Sequence, residues 1–122
     1  MKTMTKSKRS HKESDKEEFE TLLPLIEALR EDIRELTLKN QSAPLSQTKI
    51  QMINRLLAQV KTLLKEEPSA PFLDTLESDL VPQNADAVLV LGQFKAALRQ
   101  YRERHAEYDE ISESWIWDDD GS

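Results

Sequence analysis

Hydrophobic residues recur at helical spacing in three separate stretches of this chain. Steps of three and four residues place them on one face of an α-helix, while charged residues occupy the other face. Such stretches predict amphipathic helices that pack their apolar faces together. The three series are Phe19, Leu22, Ile26, Leu29, Ile33 and Leu36; Ile50, Ile53, Leu57, Val60 and Leu64; and Ala87, Leu91, Phe94, Leu98, Tyr101, His105 and Tyr108.

Capping residues and a proline indicate where the first two helices begin. Ser14 and Glu17 have the spacing of a capping box. Pro24 leaves two interpretations open, since the first helix either kinks at this residue or begins near Thr21 with the proline in its first turn. Ser46 is expected to cap the second helix, because a serine side chain can accept a hydrogen bond from the first free amides.

The third helix is expected to begin at Asn84 or Asp86 and to end near Glu107. Its first half contains the run AVLVL at residues 87–91, which is apolar on every side. We therefore expect this half to be surrounded by protein, either by the rest of the chain or by a partner chain.

Composition favours an all-α fold. The chain has 122 residues and only two glycines, and tight hairpin turns usually need residues that adopt positive φ. We predict a small bundle of three long helices plus one short helix, near residues 71–77, that buries Phe72, Leu73 and Leu76. The predicted divisions are a disordered basic leader at residues 1–14, a helical domain at residues 15–108 and an acidic aromatic tail at residues 109–122.

Groups that carry common catalytic chemistry are scarce. There is no cysteine, which excludes disulfides, thiolate nucleophiles and cysteine-ligated metals. Glycine occurs only at Gly92 and Gly121, so phosphate-cradling loops are excluded as well. His11 and His105 are the two histidines, and Arg102 stands where a helical di-metal motif would place a glutamate before His105. We expect no enzymatic activity, no metal or other cofactor and no small-molecule substrate.

Charge is distributed unevenly along the chain. Residues 1–16 hold six Lys/Arg against two acids, residues 17–106 hold eleven against fourteen, and residues 107–122 hold none against seven. Charged ends of this kind are often interaction arms.

The acidic end, SESWIWDDDGS, also contains both tryptophans of the chain. Aromatic side chains are frequent anchors at protein interfaces, and neighbouring carboxylates can steer such a segment toward a basic partner. The alternative is that the last helix continues past Tyr108, so that Ile111 and Trp115 extend its apolar face and the tail packs on the body. The predicted partner-binding residues are Trp115, Ile116, Trp117, Asp118, Asp119 and Asp120.

Two basic groups are candidates for binding a polyanion. Lys95, Arg99 and Arg102 fall on one face of the last helix, and Lys6, Lys8 and Arg9 lie in the basic leader. The competing interpretation of the helical group is a solubilising face that pairs with acidic neighbours.

The sequence therefore predicts a non-enzymatic helical interaction subunit or adaptor, acting in a larger complex or as a homo-oligomer. The alternative is a nucleic-acid-associated or nucleic-acid-mimicking regulatory protein that uses the basic head or the acidic tail. Because the longest apolar run has five residues, at 87–91, and a membrane span needs about 20, no membrane association is expected. A cytoplasmic location is the default expectation.

Overall fold

The computed structural model describes residues 13–40 and 42–118. Within these ranges the chain is mostly helical, as the hydrophobic pattern predicts, but a small antiparallel sheet follows the last helix. The helices are α1 (Glu13–Asn40), α2 (Gln47–Leu63) and α3 (Asn84–His105), and the strands are β1 (Ala106–Asp109) and β2 (Ser114–Trp117). The all-α expectation is therefore correct for the body and wrong for the segment after His105.

Helix α1 runs without interruption through Pro24. It already includes Glu13 and Ser14, so it does not begin near Thr21, and Ser14 is a helical residue rather than a cap. Proline has no amide hydrogen to donate to the preceding turn, and the exposed position of Pro24 keeps its ring away from the packed face. The rest of the predicted basic leader lies outside the described residues.

The predicted apolar faces form one shared core. α3 packs along α1, and α2 is attached more lightly to this pair. Two members of the first series lie at the margin, since Leu29 is only partly buried and Leu36 is exposed. The central, fully buried side chains come from all three helices and from Leu64 directly after α2. The helical ones include Ile26, Ile53, Leu57, Leu91, Phe94 and Leu98.

The ends of α2 and α3 are fixed by specific hydrogen bonds. Ser46 caps α2 as predicted, because its hydroxyl accepts a bond from the Lys49 amide at 3.2 Å. For α3 the cap is Gln83, one residue before the predicted Asn84, and the Asp86 carboxylate accepts a bond from the Gln83 amide at 2.7 Å. The helix termini are thus set by side chains close to them in sequence, which is why the sequence located them within a residue or two.

The connection between α2 and α3 contains two short 3₁₀ helices, Ala70–Phe72 and Ser78–Leu80, in place of the single predicted turn. Leu73 and Leu76 are buried as predicted, whereas Phe72 is 75% exposed, contrary to the prediction. A tight turn of three residues can direct only part of its side chains toward the core.

The polar side chain of Asn54 attaches this connection to α2. The Asn54 amide nitrogen donates to the Leu76 carbonyl at 2.8 Å, and its oxygen accepts from the Leu76 amide at 2.9 Å. Asn54 therefore pairs with both backbone groups of a buried residue, as a neighbouring strand would.

The apolar run at residues 87–91 is covered only in part. Ala87 and Leu91 are buried, Val88 and Val90 are partly buried, and Leu89 is 64% exposed. The expectation that this half-helix is surrounded on every side is wrong for Leu89, because α1 and α2 cover only one side of α3. None of the helices in the described ranges is long and apolar enough to cross a membrane.

Candidate functional site

The candidate site begins where α3 ends. Arg102, Arg104 and His105 occupy the last helical turn, where positive charge complements the helix dipole. Beyond this turn come only acidic charges, which disfavour further helix, and Ala106 adopts an extended conformation with φ −151° and ψ 161°. The predicted alternative, in which the helix continues through Ile111 to Trp115, is therefore wrong, because α3 ends at His105. The tail does fold back on the body, but as a β-hairpin.

The pairing register of the hairpin decides which side chains face the helices. Ala106 pairs with Trp117 and Tyr108 pairs with Trp115, so these four lie on one face of the sheet. The opposite face carries the pairs Glu107 with Ile116 and Asp109 with Ser114. One further backbone bond, from the Asp118 amide to the His105 carbonyl at 2.8 Å, extends the ladder to the end of α3. Residues 109–117 of the predicted acidic aromatic tail thus belong to the hairpin.

The turn of the hairpin is held by an acid rather than by a glycine. The Asp109 carboxylate accepts bonds from the Ser112 hydroxyl at 2.6 Å, from the Ser112 amide at 3.2 Å and from the Ile111 amide at 3.4 Å. These bonds from Ser112 and Ile111 stabilise the ionised form and lower the pKa of Asp109. Glu113 completes the turn with φ 56°, a conformation usually taken by glycine or asparagine.

Trp117 anchors the hairpin to the helical core. Its ring lies edge-on to Phe19 of α1, with 5.1 Å between ring centroids, and 6.1 Å from the ring of Tyr101 on α3. Trp117 is half-buried and packs against the main hydrophobic cluster. This indole is therefore shared between the hairpin and both of the helices it touches.

Trp115 packs on a cation. The Arg102 guanidinium carbon lies 4.3 Å from the Trp115 ring centroid, within the range of a cation–π interaction. The Tyr108 ring packs edge-on against the Trp115 ring, with 5.5 Å between the ring centroids. The Nε atom of Arg102 is buried and has no hydrogen-bond partner in the described part of the chain. Arg102 is thus covered by the hairpin.

The outward face and tip of the hairpin are apolar and acidic. Ile116 is 55% exposed on the outward face, and Ile111 at the tip is 95% exposed. Residues 106–118 contain five acids and no lysine or arginine. Of the predicted anchors, Ile116 is thus displayed to solvent, whereas both tryptophans face the body. Asp118 is exposed, and Asp119 and Asp120 lie outside the described residues.

Most of the predicted basic ridge on α3 is engaged within the chain. Arg99 contacts Glu27 of α1 at 3.3 Å, and Arg102 is stacked on Trp115, while Lys95 is half-buried. These contacts favour the interpretation of a face that pairs with its neighbours. Lys6, Lys8 and Arg9 lie outside the described residues, and binding of a polyanion stays a prediction.

Sequence reasoning missed Glu67. Its carboxylate, with the side chain only 8% exposed, accepts a bond from Arg104 Nε at 2.9 Å and lies 2.9 Å from His105 Nε2. No local pattern indicated this contact, because Glu67 and His105 are 38 residues apart. A carboxylate beside an imidazole could orient a general base, but neither residue lines the groove between α1 and α2 or the hollow beside Phe72. The pair therefore joins the connection after α2 to the end of α3.

In the described ranges, no group of three His, Cys, Asp or Glu side chains lies close enough together to hold a metal ion.

Comparison with protein-family models, with curated proteins and with solved structures found no match to this chain. Within residues 13–40 and 42–118, the geometry defines three α-helices followed by a β-hairpin that packs on the ends of α1 and α3.

Proposed function

We propose that this protein is a non-enzymatic interaction subunit that docks on a protein partner through its C-terminal hairpin. The observation that supports this most is the outward face and tip, where Ile111 and Ile116 are exposed among uncompensated carboxylates. Exposed isoleucine is costly in water and gains free energy when a partner covers it. The expected partner surface is an apolar pocket with a basic rim.

In this proposal the two tryptophans position the hairpin on the helices and are not displayed to the partner. Trp117 on Phe19 and Trp115 on Arg102 hold the hairpin in one orientation on the helices. A segment ordered before binding loses less conformational entropy on association than a flexible tail does. The aromatic residues therefore position Ile116 and Ile111, and these contact the partner.

Charge contributes to the rate and selectivity of docking rather than to most of the affinity. The five acids of residues 106–118 form a negative surface with no basic residue between them. Such a surface accelerates encounter with a positive partner and disfavours acidic ones. Because exposed charges are screened over about 8–10 Å at physiological salt, association should slow as salt is raised.

The test is a comparison of partners recovered from the native host by two matched variants. The first variant carries Ile111→Ser and Ile116→Ser in the hairpin. The control carries Phe72→Ser and Leu80→Ser in the connection between α2 and α3, where these side chains are 75% and 74% exposed. Both remove two large apolar side chains from the surface and leave the buried core unchanged. Recovered proteins are quantified by mass spectrometry.

We expect the hairpin variant to lose at least one specific partner by about tenfold or more, since a central apolar contact is often worth over 1 kcal/mol. The control should retain that partner, and circular dichroism should show the same helix content in both. If the hairpin variant recovers every partner of the unmodified protein in equal amount, docking through the hairpin is wrong.

A further inference from the structure

A second surface, separate from the hairpin, lies between α1 and α2. The two helices leave an open groove of about 550 Å³, and its apolar lining includes Leu25 and Leu29 of α1 and Met52 and Leu56 of α2. Leu25 is 49% exposed and Met52 is 46% exposed. Large apolar side chains that line a groove together are typical of an interaction surface, whereas scattered ones are not.

The composition of α2 also distinguishes this surface. Between Lys49 and Lys61 the helix carries a single charged residue, Arg55. Gln51, Met52, Ala58 and Gln59 are nevertheless exposed. A solvent-facing helix normally carries many charges, and their depletion, together with methionine and arginine, is characteristic of the centre of protein interfaces.

The two charges in the groove are arranged symmetrically about the connection between the helices. Asp32 lies on the α1 wall, eight residues before the last residue of that helix, Asn40. Arg55 lies on the α2 wall, eight residues after the first residue of that helix, Gln47. Helices joined by so short a connection run antiparallel, so both charges stand about 12 Å from the connection at a rise of 1.5 Å per residue. In the described part of the chain neither takes part in an ion pair.

We propose that the groove is closed by a second copy of this chain, in a two-fold dimer whose α1 and α2 helices form a four-helix bundle. With the two-fold axis parallel to the helices, α1 of each copy packs against α2 of the other. Asp32 of each copy then faces Arg55 of the other, because both stand at the same height. The interface is thus self-complementary in charge, and it covers Leu25 and Met52 of both copies.

The charge arrangement favours a second copy over an unrelated helix. An unrelated partner would need its own base opposite Asp32 and its own acid opposite Arg55, whereas a second copy supplies both through symmetry. None of the groove residues belongs to the hairpin, so this dimer and docking through the hairpin are independent. The Ile111→Ser, Ile116→Ser variant should therefore dimerise like the unmodified chain.

The experiment is sedimentation equilibrium of the full chain over a wide concentration range. At high concentration we expect twice the 14.1 kDa mass of one chain. Asp32→Arg alone and Arg55→Asp alone should each weaken dimerisation by about tenfold or more, since each places like charges opposite each other. The double variant Asp32→Arg, Arg55→Asp should restore it, because the pair is re-formed with its charges exchanged.

The matched controls are Glu35→Arg on α1 and Lys61→Asp on α2. They change the net charge by the same amounts at exposed positions outside the groove lining, and they should dimerise normally. Met52→Gln removes apolar surface without adding charge and should weaken dimerisation several-fold, which provides a test even where a charge reversal lowers folding stability. A chain that stays monomeric at every concentration, or a dimer insensitive to both charge reversals, would overturn the proposal.

Discussion

Replacing Trp117 with alanine tests whether the hairpin is part of the folded unit. Truncation of a fully buried aromatic residue costs about 3–5 kcal/mol. Trp117 is half-buried, and it loses an edge-on contact with Phe19 at 5.1 Å that is worth about 0.5–1.5 kcal/mol beyond its buried area. We therefore expect the free energy of unfolding to fall by about 2–3 kcal/mol. Trp115→Ala, which mainly loses its contacts with Arg102 and Tyr108, should cost about 1 kcal/mol.

Urea unfolding measures this difference with two signals. Circular dichroism at 222 nm follows the helices, and in Trp117→Ala the fluorescence of Trp115 follows the hairpin alone. Coincident transitions would mean that the hairpin and helices unfold together, whereas an earlier fluorescence transition would mean that the hairpin detaches first. The reasoning is refuted if Trp117→Ala lowers stability by less than about 0.5 kcal/mol, or by no more than Trp115→Ala does.

Three further outcomes follow from local geometry. Asn54→Ala should lower the free energy of unfolding by about 2 kcal/mol, because both backbone groups of Leu76 lose their partner. Chemical denaturation measures this free energy, and a decrease below about 0.5 kcal/mol would contradict the prediction. Val81→Gly should raise the melting temperature. Val81 is held at φ 50°, a backbone conformation that costs a residue other than glycine about 1–2 kcal/mol. The control is Leu80→Gly, which should lower the melting temperature because Leu80 does not have a positive φ. The lowered pKa of Asp109 means that its bonds stabilise the hairpin above its ordinary pKa of 3.8 and lose this effect as pH falls through the lowered value. The protection of the hairpin amides against exchange, relative to the intrinsic rate at each pH, should therefore fall in acid in the native chain. A similar fall in Asp109→Asn would show that another group is responsible.

The sequence by itself determined the helices. Their apolar series, the cap at Ser46 and the end of α3 near the basic last turn all depend on residues within four positions of one another along the chain. Helical hydrogen bonds and caps join neighbours at this distance, so their signals are local and can be recognised in a single sequence. The buried residues of α2, which are Ile50, Ile53, Leu57 and Val60, all belong to the predicted series, because its apolar face is regular.

The hairpin was decided by tertiary contacts. Its turn lacks the glycine or asparagine that marks most hairpins, since Glu113 takes the positive φ and Asp109 holds the loop. The pairing register placed both tryptophans toward the helices and Ile116 toward solvent, and a shift by one residue would have reversed this. The rings of Phe19 and Tyr101, which come from two different helices, determine which face is covered.

Burial and charge pairing across the chain were likewise set only by the folded structure. Glu67 reaches His105 from 38 residues away, and Leu89 is exposed although its neighbours in an apolar run are covered. Periodicity states which side chains share a face of a helix, but not how much of that face another element covers. The groove between α1 and α2 exists for this reason, since three helices enclose one core and leave part of two apolar faces open.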